Sequence, residues 1–174
     1  MSIARDRARR YRTETPQDTR HLGRLIASHL IEGDVIILSG GLGVGKTQLT
    51  SGIAQGLGDT RPVRSPTFAI QSIHDGGRLP LFHFDLYRLE HARQLEDTGI
   101  FDVLAIEGAC VLEWGERFQE ELVDEYLSVL ITRCGETTRS IALEAHGARA
   151  EQLAASVDAA LCETTPDGAG DEHE

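Results

Sequence analysis

The chain has 174 residues, 40% of them hydrophobic and 26% charged, which suits one compact domain able to build a core without disulfide or metal staples. No apolar run approaches the ~20 residues of a membrane span, and the Arg-rich N-terminus has no apolar stretch behind it to make a signal peptide. A net charge of −11 argues against a broad nucleic-acid-binding surface, and three scattered cysteines, Cys110, Cys134 and Cys162, without a CxxC pair suit a reducing cytoplasm.

Residues 1–12 carry five Arg, and residues 163–174 carry five acids and no base. Like charges with little apolar surface read as solvated segments. The expected organisation is therefore a flexible basic arm over 1–12, one domain over 13–162 and a disordered acidic tail over 163–174. Sixteen of the seventeen basic residues are Arg; the single Lys is Lys46.

Arg10 to Glu14 suits a short strand. Thr15-Pro16 reads as an N-cap followed by proline at the first helical position. Leu22, Leu25, Ile26 and Leu30 follow at helical spacing, so an amphipathic helix is predicted over Pro16 to Leu30. Val35 to Leu38 is the β-branched apolar run of a buried parallel strand. A glycine-rich loop leads into a helix over Lys46 to Leu57, with Gly56 and Gly58 as its stop. Phe68 to Ile73 alternates like a half-buried strand, Leu81 to Leu86 is another, and Glu90 to Thr98 suits a short helix. Ala109 to Leu112 is a second buried run ending at Glu113. Tyr126 to Thr132 and Ser140 to Glu144 read as strands joined across Gly135, and Ala148 to Leu161 closes the chain with a helix. The alternation predicts an α/β fold, a three-layer domain on a mostly parallel sheet with antiparallel edge strands.

Gly40-Gly41-Leu42-Gly43-Val44-Gly45-Lys46-Thr47 matches G-x-x-x-x-G-K-[ST] completely, between a buried strand and a helix. Gly43 and Gly45 let backbone N–H groups close around phosphate oxygens, and the helix adds the positive end of its dipole. Lys46 can reach the β/γ oxygens, and the Thr47 hydroxyl can ligate Mg²⁺. The plain alternative, a glycine-rich turn beside a solvated lysine, does not account for the only lysine standing in this slot. Leu42, Val44 and Gln48 complete the expected nucleotide-binding segment.

A nucleotide-bound Mg²⁺ calls for a carboxylate at the sheet's carboxyl edge. Asp85 and Glu113 both end apolar strands, and either can hold a metal-bound water or orient an attacking one. Asp75, Asp102 and Glu107 are weaker candidates because none so clearly ends a strand. Thr67, in Ser65-Pro66-Thr67, is either a γ-phosphate sensor in a switch loop or part of an ordinary proline turn. Trp114, the only tryptophan, is either a core residue or an interface anchor.

Four ordered motifs, GGLGVGKT, SPTF, HFDLYRL and the LEW of Leu112-Glu113-Trp114, resemble the bacterial TsaE family over about Thr13 to Gly147. The resemblance implies a P-loop NTPase-like fold binding ATP and Mg²⁺ in the cytoplasm. Its activity would be slow ATP hydrolysis, stimulated by partners and required for threonylcarbamoyladenosine at position 37 of tRNA. It implies TsaD and TsaB as partners, with tRNA met only through that complex and no role for DNA or membrane. Lys46 and Thr47 match the family's phosphate and metal positions, Glu113 its metal-associated glutamate and Asp85 its Walker-B-like aspartate. Thr67 falls in its switch loop, and nucleotide contacts are implied near Thr15-Pro16 and Gly135. Gly41 replaces the family's usual Asp, and Gly115 replaces the proline that often follows the Glu-Trp pair. The rival readings are a small-molecule kinase, a GTPase and a nucleotide-gated interaction module. The chain has no Asn-Lys-x-Asp motif for guanine and no segment that reads as a kinase lid.

Overall fold

The computed structural model describes residues 3–7, 9–104 and 108–164. An eight-stranded sheet in the order β1-β2-β8-β7-β3-β6-β5-β4 runs through it. The strands are β1 (Ile3–Arg7), β2 (Arg10–Thr13), β3 (Val35–Ser39), β4 (Gln71–His74), β5 (Leu81–Asp85), β6 (Ala109–Glu113), β7 (Tyr126–Arg133) and β8 (Arg139–His146). The inner four, β7-β3-β6-β5, are mutually parallel, while β4 at one side and β8 at the other pair antiparallel. The expected α/β class with antiparallel edges is the architecture observed.

Alternation along each strand builds two cores. Ile36, Leu38, Val111, Leu127 and Val129 face α1 (Pro16–Ser28), α2 (Lys46–Leu57) and α5 (Ala148–Thr164). Val35, Ile37, Cys110 and Leu112 face the other way, toward the 3₁₀ segment Ala92–Thr98, α3 (Ile100–Leu104) and α4 (Gln119–Leu122). Burial in the second core pushes the Cys110 thiol up to about 12, so this cysteine acts as a small apolar filler.

Local chemistry sets the helix starts. Thr15 caps α1 through a reciprocal box, its Oγ1 accepting from Asp18 N–H at 3.2 Å and Asp18 Oδ2 accepting from Thr15 N–H at 3.0 Å. The α1–α2 crossing depends on glycine: a Cβ at Gly52 would lie 2.1 Å from the Arg20 carbonyl oxygen, and one at Gly23 2.4 Å from that of Leu49. Backbones therefore meet directly, seating the phosphate-loop helix tightly on α1.

Four expectations are corrected. Gly58 ends α2 in a left-handed conformation, but Gly56 lies within the helix, packed against Arg24 and Ala27. Phe68 to Ile70 do not join a strand, because the Ile70 N–H bonds back to Pro66 at 2.6 Å and Ile70 takes φ 67°; only Gln71–His74 pair with β5. Within the 1–12 segment, residues 3–7 and 10–12 are not a free arm: β1 pairs with β2, and β2 with β8. The stretch from Glu90 is a 3₁₀ helix over Ala92–Thr98, followed by α3, which periodicity did not resolve. Glu107 and the tail beyond Thr164 lie outside the described residues.

Candidate functional site

At the carboxyl ends of the parallel strands, a cleft of about 380 Å³ is lined by Leu42 to Gln48, Ser65, Thr67, Asp85, Tyr87, Glu113 and Trp114. The loop after β3 forms its floor. Gly45 stands at φ 113° as the residue before α2, where no side chain caps the helix N-terminus, so its first N–H groups are left for an anion. Arg139 braces this loop by donating from Nε to the Val44 carbonyl at 2.7 Å.

Lys46 is buried, donating to the carbonyls of Gly40 at 2.8 Å and Gly41 at 3.1 Å, with Nζ 3.9 Å from the Trp114 ring centroid. Burial holds its ammonium below the ordinary lysine range, against the opposing pull of Glu113, Glu116 and Asp85. Glu116 lies on the short 3₁₀ turn after Trp114, and burial raises its carboxyl while Lys46 and Arg117 draw it down.

The two acids face each other across adjacent strands, Asp85 on β5 in register with Glu113 on β6. Their partners differ. Glu113 Oε1 accepts from the Thr47 hydroxyl at 3.1 Å, whereas Asp85 Oδ2 accepts from Ser65 Oγ and Thr67 Oγ1, both at 2.7 Å, and Asp85 Oδ1 from the Tyr87 N–H at 3.1 Å. Asp85 is thus the anchor of the Ser65-Pro66-Thr67 turn, and Glu113 is the acid beside the phosphate-loop hydroxyl. Thr47 and Glu113 are hard oxygen donors of the kind that hold Mg²⁺ together with phosphate oxygens and water. Among the described residues no cluster of three or more His, Cys, Asp or Glu could hold a metal ion.

Lys46, Thr47, Thr67, Asp85 and Glu113 therefore meet in one cleft. Thr15, Pro16 and Gly135 do not line it. They lie on the same sheet edge, because Thr13 and Arg133 both pair with Arg139 at the ends of β2 and β7. Thr15 serves α1 as its cap, and the Gly135 carbonyl accepts from Arg139 Nη1 at 3.2 Å. Asp75 and Asp102 are not among the lining residues; Asp75 pairs with Arg61 at 2.7 Å. Residue-by-residue reading missed Ser65, Tyr87, His83 and Arg139 as site groups. Only His83 carried a local signal, a histidine inside an apolar strand. Trp114 belongs to the cleft wall, half-buried at φ 64° and tilted against Tyr87 at 5.1 Å between centroids.

The family model described as Threonylcarbamoyl adenosine biosynthesis protein TsaE matches residues 13–141. The chain belongs to the TsaE family. A tRNA threonylcarbamoyladenosine biosynthesis protein TsaE of Bacillus subtilis is 42% identical over 144 residues, covering 83% of this chain and 90% of that protein. Its counterpart in Treponema pallidum is 36% identical over 129 residues, covering 74% of this chain and 95% of that protein. Among solved structures, that of Bacillus subtilis YdiB superposes with a TM-score of 0.76 at 34% identity, covering 92% of this chain and 98% of that one. The TsaE match spans the phosphate loop, the Ser65-Pro66-Thr67 turn, Asp85 and Glu113. No helix among the described residues is long and apolar enough to cross a membrane.

Proposed function

We propose that this TsaE-family protein is a Mg²⁺-dependent ATPase of tRNA threonylcarbamoyladenosine biosynthesis whose nucleotide cycle drives or resets a TsaD–TsaB transferase complex. The observation that carries the reading is the pairing of Thr47 with Glu113 at 3.1 Å, beside the buried Lys46 at an uncapped helix N-terminus. That arrangement offers N–H groups and an ammonium to a triphosphate, with oxygen donors where its cation would sit. Mg²⁺ held by Thr47, Glu113 and phosphate oxygens would neutralise charge developing on the β- and γ-oxygens. Lys46 binds and orients the phosphates. Glu113 positions water on the cation side, and Asp85 keeps Thr67 at the cleft mouth. Because the two hydroxyls of that turn are tied to one carboxylate, a γ-phosphate able to draw Thr67 away would reorder the turn.

A nucleotide-gated interaction is part of the same reading. Leu42 at 83% and Tyr87 at 48% exposure line the cleft, and Phe68, 86% exposed, follows its Thr67, apolar groups suited to a protein partner that senses the bound nucleotide. The net charge of −11 favours meeting tRNA through the complex rather than directly.

Two assays test the proposal. Purified protein should hydrolyse ATP in Mg²⁺, and Glu113→Gln should lower turnover ~100-fold or more with a smaller loss, about tenfold, of ATP affinity in Mg²⁺. TsaD–TsaB should bind more tightly with ATP than with ADP and raise turnover. Wild-type hydrolysis in Glu113→Gln, or nucleotide-independent assembly without stimulation, would overturn the corresponding half.

A further inference from the structure

His83 has no part in the chemistry described so far, yet it is fully buried on β5, two residues before Asp85. Its Nε2 lies 2.9 Å from Glu113 Oε1, the oxygen that also accepts from Thr47. Its Nδ1 is buried without a hydrogen-bond partner among the described residues. These two contacts distinguish the two tautomers of the imidazole. An N–H on Nε2 points at the carboxylate and leaves only a lone pair unpaired on Nδ1. The other tautomer would bury an orphan N–H and set a ring lone pair against a carboxylate oxygen.

Strand geometry makes this contact reproducible. His83 is in register with Val111, two residues before Glu113 on the neighbouring strand β6, and both side chains are held among buried neighbours. A glutamate at a strand end has three side-chain torsions to lose, and a rigid ring donor restricts them. We propose that His83 is the positioning residue for Glu113: its Nε2–H clamps Oε1 beside the Thr47 hydroxyl and so presets the carboxylate for a divalent cation. This inference rests on the reading of Glu113 as the cation-side acid. Partners of this kind, one bond removed from a metal, change metal affinity by about 10–100-fold when removed.

The test uses the full chain, a non-hydrolysable ATP analogue and Trp114 fluorescence. The readout is the ratio of analogue Kd in EDTA to Kd in Mn²⁺, which isolates the cation's contribution from folding and from metal-free nucleotide binding. His83→Asn keeps a small polar side chain whose amide falls one bond short of Glu113, whereas His83→Gln places an amide N–H where Nε2 stood. The Asn variant should lose about tenfold of the Mn²⁺ enhancement with its EDTA affinity kept, and the Gln variant should recover to within about threefold of wild type. Adding His83→Asn to Glu113→Gln should lower the ratio no further. A wild-type ratio in His83→Asn, an equal loss in His83→Gln, or a parallel loss of metal-free affinity would each overturn the positioning role. A wild-type ratio in Glu113→Gln would instead overturn the reading of Glu113 itself, and is told apart because it requires no change at His83.

Discussion

Replacing Lys46 with Met separates the stability of the phosphate loop from its function. Lys46 is buried, and burial lowers its pKa. A lysine whose folded pKa lies below its unfolded value destabilises the fold while it is protonated, and that penalty is lifted only as pH rises through the folded value. While the ammonium is protonated, Lys46→Met removes a buried charge together with its bonds to the Gly40 and Gly41 carbonyls. The two changes oppose each other, and Tm should stay within about 4 °C of wild type, the shift expected for ~1 kcal/mol in a chain of this size. Binding responds differently. One ammonium about 4 Å from one phosphate charge is worth about 4 kcal/mol at an effective dielectric of 20. Surrendering the longer Gly41 hydrogen bond to reach it costs about 1.5 kcal/mol. The remainder, about 2.5 kcal/mol, is roughly a 60-fold weaker Kd for ATP. Trp114, 3.9 Å from the ammonium, reports both states by fluorescence, and melting is followed by circular dichroism. A folded Lys46→Met variant with wild-type ATP affinity would refute the assignment of the phosphate cradle.

Three further outcomes follow from named contacts. Gly52→Ala should destabilise by about 2–4 kcal/mol, an overpacking penalty at or above the usual range, because its methyl would meet the Arg20 carbonyl oxygen at 2.1 Å; Gly41→Ala, with nothing within 4 Å, should leave Tm unchanged, and equal melting of the two would contradict the crossing geometry. Asp59 is buried beneath Arg61, whose guanidinium holds its carboxyl far below the usual aspartate range. Its stabilisation is therefore complete above the unfolded value and lost as pH falls through the folded one, so Asp59→Asn should melt lower than wild type at pH 6, with the gap closing as pH drops below about 4; a pH-independent gap would reject the linkage. Thr67→Val should release one bond to Asp85 and lower hydrolysis by about tenfold with ADP affinity unchanged, and unaltered turnover would make the hydroxyl a turn contact only.

Where function is concerned, the chain's local chemistry was readable at particular residues. The start of α2 at Lys46, the cap at Thr15 and the strand ends at Asp85 and Glu113 each depend on a few neighbouring side chains: a run of glycines and apolar residues closed by Lys-Thr, a Thr-Pro pair, an apolar run closed by an acid. Those patterns reflect torsional freedom, capping and burial, which act over one turn or one strand. The same local reading faltered at Phe68 to Ile70, where apolar alternation suggested a strand but the Pro66–Ile70 turn claimed the backbone bonds first.

What tertiary structure alone decided is which pieces meet. Nothing near Asp85 indicates that β6 lies beside β5 in the register that sets it opposite Glu113, or that Ser65 and Thr67 close on one carboxylate oxygen. The division between the acids, one anchoring the turn and one joined to Thr47, arises from those long-range pairings. So does the contact of His83 with Glu113, 30 residues apart. Likewise, the N-terminal segment read as a free arm until β8 supplied the strand edge that β2 pairs with, while Arg10 and Arg12 stay exposed. Charge and periodicity describe how a segment meets water, whereas the choice of neighbour is made by the sum of burial and hydrogen bonding across the whole sheet.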